Sequence, residues 1–152
     1  MYGVEGLKLL AKGLSPSQAL NLLIQRDPHP ELRQVGIIDV NNQKVAYTGS
    51  QCPVWRGHII GENYIILGNL LVGPSVLEAM RKRFEDTKDS FILRLLNSLV
   101  EGEKMGGDRR GDRSAALIIE GKKSIRLYIN YAEKPAVKLL KLYVSRYMVK
   151  HS

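Results

Sequence analysis

The chain has 152 residues, enough for one domain with a real core and short for two. Apolar residues make up 44% and charged residues 25%, which excludes a disordered chain. Lys and Arg outnumber Asp and Glu by 23 to 15, and the resulting charge of +8 favours acidic or anionic partners. The basic residues are scattered, with no aromatic–basic interleaving that would stack bases, so nucleic acid ranks last among partner classes.

The spacing predicts a first helix over Gly3–Lys12, with Leu7, Leu10, Ala11 and Leu14 on one face and Gly13 as its stop. Ser15 then reads as an N-cap, with Pro16 at the first helical position and Gln18 completing a capping box. Ala19, Leu20, Leu23 and Ile24 give this second helix an apolar face, and Asp27-Pro28-His29-Pro30 ends it. Gln34–Val40 reads as a strand apolar or small on both faces, expected inside a covered sheet. A turn at Asn41-Asn42 returns the chain along Lys44–Gly49. After a loop over 50–57, His58–Ile60 and Tyr64–Leu67 form a second hairpin.

Pro74 opens a third helix whose buried face is Leu77, Met80 and Phe84. A fourth helix runs from about Asp89 to Val100, with Phe91, Ile92, Leu95, Leu96, Leu99 and Val100 as a broad core-facing stripe. Strands are expected at Ala115–Glu120 and Ser124–Tyr131. A last helix runs from Pro135 to about Val149, packing through Val137, Leu140, Val144, Tyr147 and Met148, with Lys138, Lys141, Arg146 and Lys150 in solvent. Strands come as adjacent antiparallel pairs, so the class is α+β, helices layered on sheet, as one domain over 1–152.

Cys52 is the single cysteine, so no internal disulfide forms and a reducing, cytoplasmic location is expected. Neither a signal peptide nor a stretch long enough to span a membrane is read. Histidines 29, 58 and 151 share no metal-ligand spacing with each other or with Cys52, so neither metal nor cofactor is expected. No G-x-S-x-G elbow, dinucleotide fingerprint or Walker loop occurs.

Two places hold residues suited to chemistry. Gly106-Gly107-Asp108-Arg109-Arg110-Gly111-Asp112-Arg113 crowds opposite charges at a strand start, where they must pair with each other or with a ligand. Arg109 and Arg110 would clamp an anion or carboxylate, with Asp108 orienting an arginine or a substrate amine. Asn69, after the fourth strand, is either a turn residue or an amide donor to a developing oxyanion. Trp55 and Cys52 share a loop, the tryptophan suited to a lid and the cysteine to an inert position.

The order of motifs resembles the domain of unknown function 1028 family, assigned to the N-terminal-nucleophile (Ntn) hydrolase superfamily. The matching pieces are Tyr2-Gly3, Gly6-Leu7 and Gly13-Leu14-Ser15; Arg33-Gln34-Val35-Gly36 with Asp39; Thr48-Gly49 with Cys52, Trp55, Gly57-His58 and Gly61; Gly68-Asn69 with Leu71, Gly73 and Met80; and Gly106–Gly111 followed by Ser114-Ala115-Ala116-Leu117.

The resemblance implies an Ntn-type αββα sandwich and amide hydrolysis or acyl transfer by a terminal Thr, Ser or Cys whose own α-amino group is the base. It also implies a pocket formed by catalytic Asn69 and Asp108 with substrate-binding Arg109, Arg110, Trp55 and Thr48, taking a small or peptide-like substrate.

This sequence departs from the family's pattern twice. Met1-Tyr2 stands where family members begin their first helix after several strands, so the leading strands and the nucleophile are expected to be missing and the sandwich incomplete. Asp112-Arg113 adds charges beside Asp108. Exposed sheet edges would then favour a homo-oligomer, and activity would depend on the missing strands. The alternative is a non-catalytic module binding an anionic small molecule or acidic partner.

Overall fold

The computed structural model describes residues 2–148. Met1, Val149, Lys150 and His151, which enter the expectations above, lie outside them. The fold is mixed α+β, with short antiparallel two-stranded sheets and helices, in two compact units divided after Leu70.

The first unit holds α1 (Tyr2–Ala11), α2 (Pro16–Arg26), a 3₁₀ turn at Pro30–Leu32, and strands β1 (Gln34–Ile38), β2 (Lys44–Thr48), β3 (Gly57–Ile60) and β4 (Ile65–Gly68). The expected start of α2 is present in full: the Gln18 amide N–H donates to the Ser15 hydroxyl at 3.3 Å, and the Ser15 N–H donates to Gln18 Oε1 at 2.9 Å. Pro16 has no N–H, so two of the three N–H groups this helix start leaves open are thereby occupied. In the first hairpin Gln34 stands opposite Thr48 and Ile38 opposite Lys44; in the second Gly57 stands opposite Gly68.

Two expectations for this unit are corrected. β1 is half-buried, not enclosed: it pairs with β2 alone, and Gly36 and Ile38 are exposed. An edge strand of a two-stranded sheet is open along one side whatever covers its faces. The apolar side of α1 is also not core. Leu7 is 69% exposed, while Gly6 is the residue of that helix buried against Leu23 of α2. A Cβ built on Gly6 would lie 3.6 Å from Leu23, an ordinary contact distance, so the tertiary partner and not the glycine itself turns this side of α1 toward α2.

The second unit holds α3 (Ser75–Asp86), α4 (Phe91–Lys104), β5 (Ala115–Ile119), β6 (Ile125–Ile129) and α5 (Pro135–Tyr147). Leu96, Leu117, Leu127, Leu139 and Tyr143 form its core, joining α4, the β5–β6 hairpin and α5. The expected buried face of α5 is corrected by one position: Ala136, Leu139 and Tyr143 are buried, while Tyr147 and Met148 are about half exposed. At 3.6 residues per turn two overlapping stripes fit this sequence, and contact with β5 and β6 chooses between them. α4 runs to Lys104, a turn beyond expectation, and Gly102 inside that turn packs against Met80 of α3, where a Cβ would come within 2.8 Å.

No helix among the described residues is long and apolar enough to cross a membrane.

Candidate functional site

One polar network in the first unit ties the ends of its two hairpins together. Its centre is Gln34, the first residue of β1. The Gln34 Nε2 group donates to the carbonyl oxygens of Gly57 and Gly68, each at 2.9 Å, and to Thr48 Oγ1 at 3.1 Å. An amide nitrogen has two hydrogens, so with three acceptors one of them is shared. Two backbone carbonyls facing one end of the amide require nitrogen there, which turns Oε1 toward Asn69. Asn69 Nδ2 donates to that oxygen at 2.9 Å. Thr48 Oγ1 lies 2.8 Å from His58 Nδ1, closing a chain Asn69–Gln34–Thr48–His58.

Local sequence explains why this forms. Gly57 and Gly68 face each other across the β3–β4 ladder, so no side chain stands over their carbonyls and the Gln34 amide reaches both. The β1–β2 register puts Gln34 opposite Thr48. Gly49, the next residue, packs on the backbone of Glu31, where a Cβ would lie 2.1 Å from the carbonyl oxygen. Its N–H donates to the Arg33 carbonyl at 2.8 Å, anchoring the end of β2 that carries Thr48.

Beside this end of the sheet, Asp27 is a buried carboxylate. Arg33 grips it with Nε at 2.7 Å and Nη2 at 3.4 Å, and the His29 N–H donates at 2.9 Å. Those donors, Arg33 foremost, hold its pKa down at about 2. The Tyr2 hydroxyl is buried near it, and burial, together with that carboxylate, pushes the phenol up to about 12.

In the second unit Gly107 and Asp108 join a short bridge to Leu71 and Val72. Two charges of this stretch, Asp108 and Arg110, pair with each other. Arg110 forks onto Asp108, with Nη2 to Oδ2 at 2.7 Å and Nε to Oδ1 at 3.0 Å, and its own N–H donates to Oδ1 at 2.8 Å. The Arg110 guanidinium beside Asp108 holds that carboxyl below its usual range. Gly107 has φ of 46°, and the Asp112 carboxylate occupies the place where its Cβ would be. Asp112 Oδ1 accepts from the Asp108 N–H at 3.3 Å. The arrangement is a pinned turn in which one arginine fork is already engaged.

Of the residues singled out in the sequence, Thr48 and Asn69 come together through Gln34. Trp55 is half-buried in the loop before β3, and Cys52 in the same loop is buried with a free thiol. Asp108, Arg109 and Arg110 belong to the second unit. Sequence reasoning missed Gln34 and His58 as site residues. The signal for Gln34 was the register: counting back from the Asn41-Asn42 turn places it opposite Thr48.

The structure defines an α+β protein with a hydroxyl, an imidazole and two amides in one hydrogen-bonded string. More particularly, the chain belongs to the family of unknown function DUF1028, whose model matches residues 1–140. It is similar to the crystal structure of a DUF1028 protein from Silicibacter pomeroyi, with 29% identity and a TM-score of 0.87 over 99% of this chain and 68% of that one. No curated protein matches it.

Proposed function

We propose that the protein is an amide hydrolase or acyl-transfer enzyme of the N-terminal-nucleophile type, acting on a small or peptide-like substrate at the Gln34-centred network. The observation that carries this reading is the Asn69 amide, held by Gln34 at 2.9 Å at the exposed end of β4. One of its N–H bonds is given to Gln34, and an amide nitrogen carries a second that could meet an oxygen on which charge develops. A donor oriented beforehand is what acyl transfer needs, and losing one costs about a hundredfold to a thousandfold in kcat. Thr48, one bond further along the same string, lines the place where such a substrate would lie.

Supporting observations extend to assembly and location. β1 offers an open edge, which favours association with a second copy. The buried free thiol of Cys52 suits a reducing, cytoplasmic setting.

The test is amine release from a panel of fluorogenic N-acyl amides by the chain fused to leading strands that begin with Thr, Ser or Cys, with and without Asn69→Ala. Turnover reduced at least about a hundredfold by the substitution supports the reading. No turnover on any member, or turnover indifferent to Asn69, overturns it.

A further inference from the structure

Within the network lies a hydroxyl–imidazole pair complete in itself. Thr48 Oγ1 accepts from Gln34 Nε2, whose direction is set by the Gly57 and Gly68 carbonyls. A hydroxyl that accepts in this way still has its own hydrogen to give, and His58 Nδ1, 2.8 Å away, is positioned to take it. The direction needed is the one in which His58 Nδ1 accepts, the tautomer with its hydrogen on Nε2. A hydroxyl donating to an imidazole is the arrangement by which a weak nucleophile is activated. The half-buried Thr48 stays reachable at the sheet end, and His58 is exposed.

We propose that Thr48 is itself an acyl-accepting nucleophile, with His58 as its general base and Asn69 as the donor to the oxyanion. The inference rests on reading the network as an acyl-transfer site, but it does not require a terminal nucleophile. In the first step a bond forms between Thr48 Oγ1 and the acyl carbon while the bond from that carbon to the leaving group breaks. The Thr48 proton passes to His58 Nδ1 and from there to the leaving group. In the second step water attacks the acyl-threonine ester, His58 takes the water proton and returns it to Thr48 Oγ1, and the free acid departs. The ligand class is an acyl donor small enough to reach an open sheet end.

The experiment treats the chain with p-nitrophenyl acetate, follows nitrophenolate release, and maps the acetyl group by peptide mass spectrometry. Thr48→Val keeps the shape and removes the hydroxyl, Thr48→Ser restores it, and His58→Gln removes the base. Acetyl on residue 48 is expected in the native chain and in Thr48→Ser, and is lost in Thr48→Val. Its formation should slow by about a hundredfold in His58→Gln. Acetyl confined to lysines, with a rate unchanged in His58→Gln, overturns the proposal. Ester turnover dependent on Asn69 that persists in Thr48→Val also overturns it, while leaving the acyl-transfer reading in place. Absence of both nitrophenolate turnover and acylation in this chain overturns the Thr48 proposal, while the acyl-transfer reading is decided by its own amide test.

Discussion

Asp27 shows how a residue with an ordinary local role acquires a second one from distance. In the sequence it is the aspartate before a proline that ends a helix. In the structure its carboxylate is buried and held by Arg33, six positions later, and by the His29 N–H. Because its folded pKa of about 2 lies below the ordinary 3.8, it stabilises the fold above the unfolded value, and that contribution is lost as pH falls toward 2. Denaturant midpoints of the native chain and Asp27→Asn measured across acid pH should therefore differ at pH 6 (roughly, any pH well above the carboxylate range) and converge as pH approaches 2. A gap constant through that window would mean the carboxylate's charge contributes nothing. The partner six residues away carries no periodic or motif signature, which is why the pair was not legible beforehand.

Elements were legible where their determinants are local. The α2 start is set by groups three residues apart, so Ser15, Pro16 and Gln18 announce it in the sequence, and Ser15→Ala should lower stability by about 1 kcal/mol in urea denaturation. Hairpin registers were legible for the same reason, since Asn42 adopts φ of 63° at the expected turn. Faces chosen by tertiary neighbours were not. The α5 stripe slipped by one residue and α1 packs through Gly6, because each has more than one apolar face and only the packed partner decides. The Gln34 hub is likewise a contact between hairpins that no single element encodes. Replacing Gln34 by Ala strands two carbonyls and the Asn69 amide and should cost about 1–3 kcal/mol. Gln34→Glu, nearly the same shape but without the N–H donors, should be at least as harmful, since it turns a carboxylate toward those carbonyls. A stable Gln34→Glu variant would show that shape alone, and not donation, joins the hairpins.

At the scale of the molecule, apolar burial and charge act in opposite directions on association. The core of the second unit is dense around Leu127 and Leu139, both at most 1% exposed, and Leu139→Ala should cost about 2–5 kcal/mol. That core leaves the sheet edges as they are: each sheet among the described residues has two strands, so every strand has an open side. Open backbone groups and exposed apolar residues such as Ile38 and Ile118 favour pairing with another strand. The charge of +8 opposes bringing two copies together, and that repulsion is screened over about 8 Å at physiological salt. Association through edges should therefore strengthen as salt rises, whereas association through charged pairs would weaken. Sedimentation at micromolar concentration should show a dimer or larger species whose share grows with salt. A single-chain mass at every salt concentration would mean the edges are protected by their own twist and flanking charge, and a dimer dissolved by salt would place the contact at ion pairs instead of at strands.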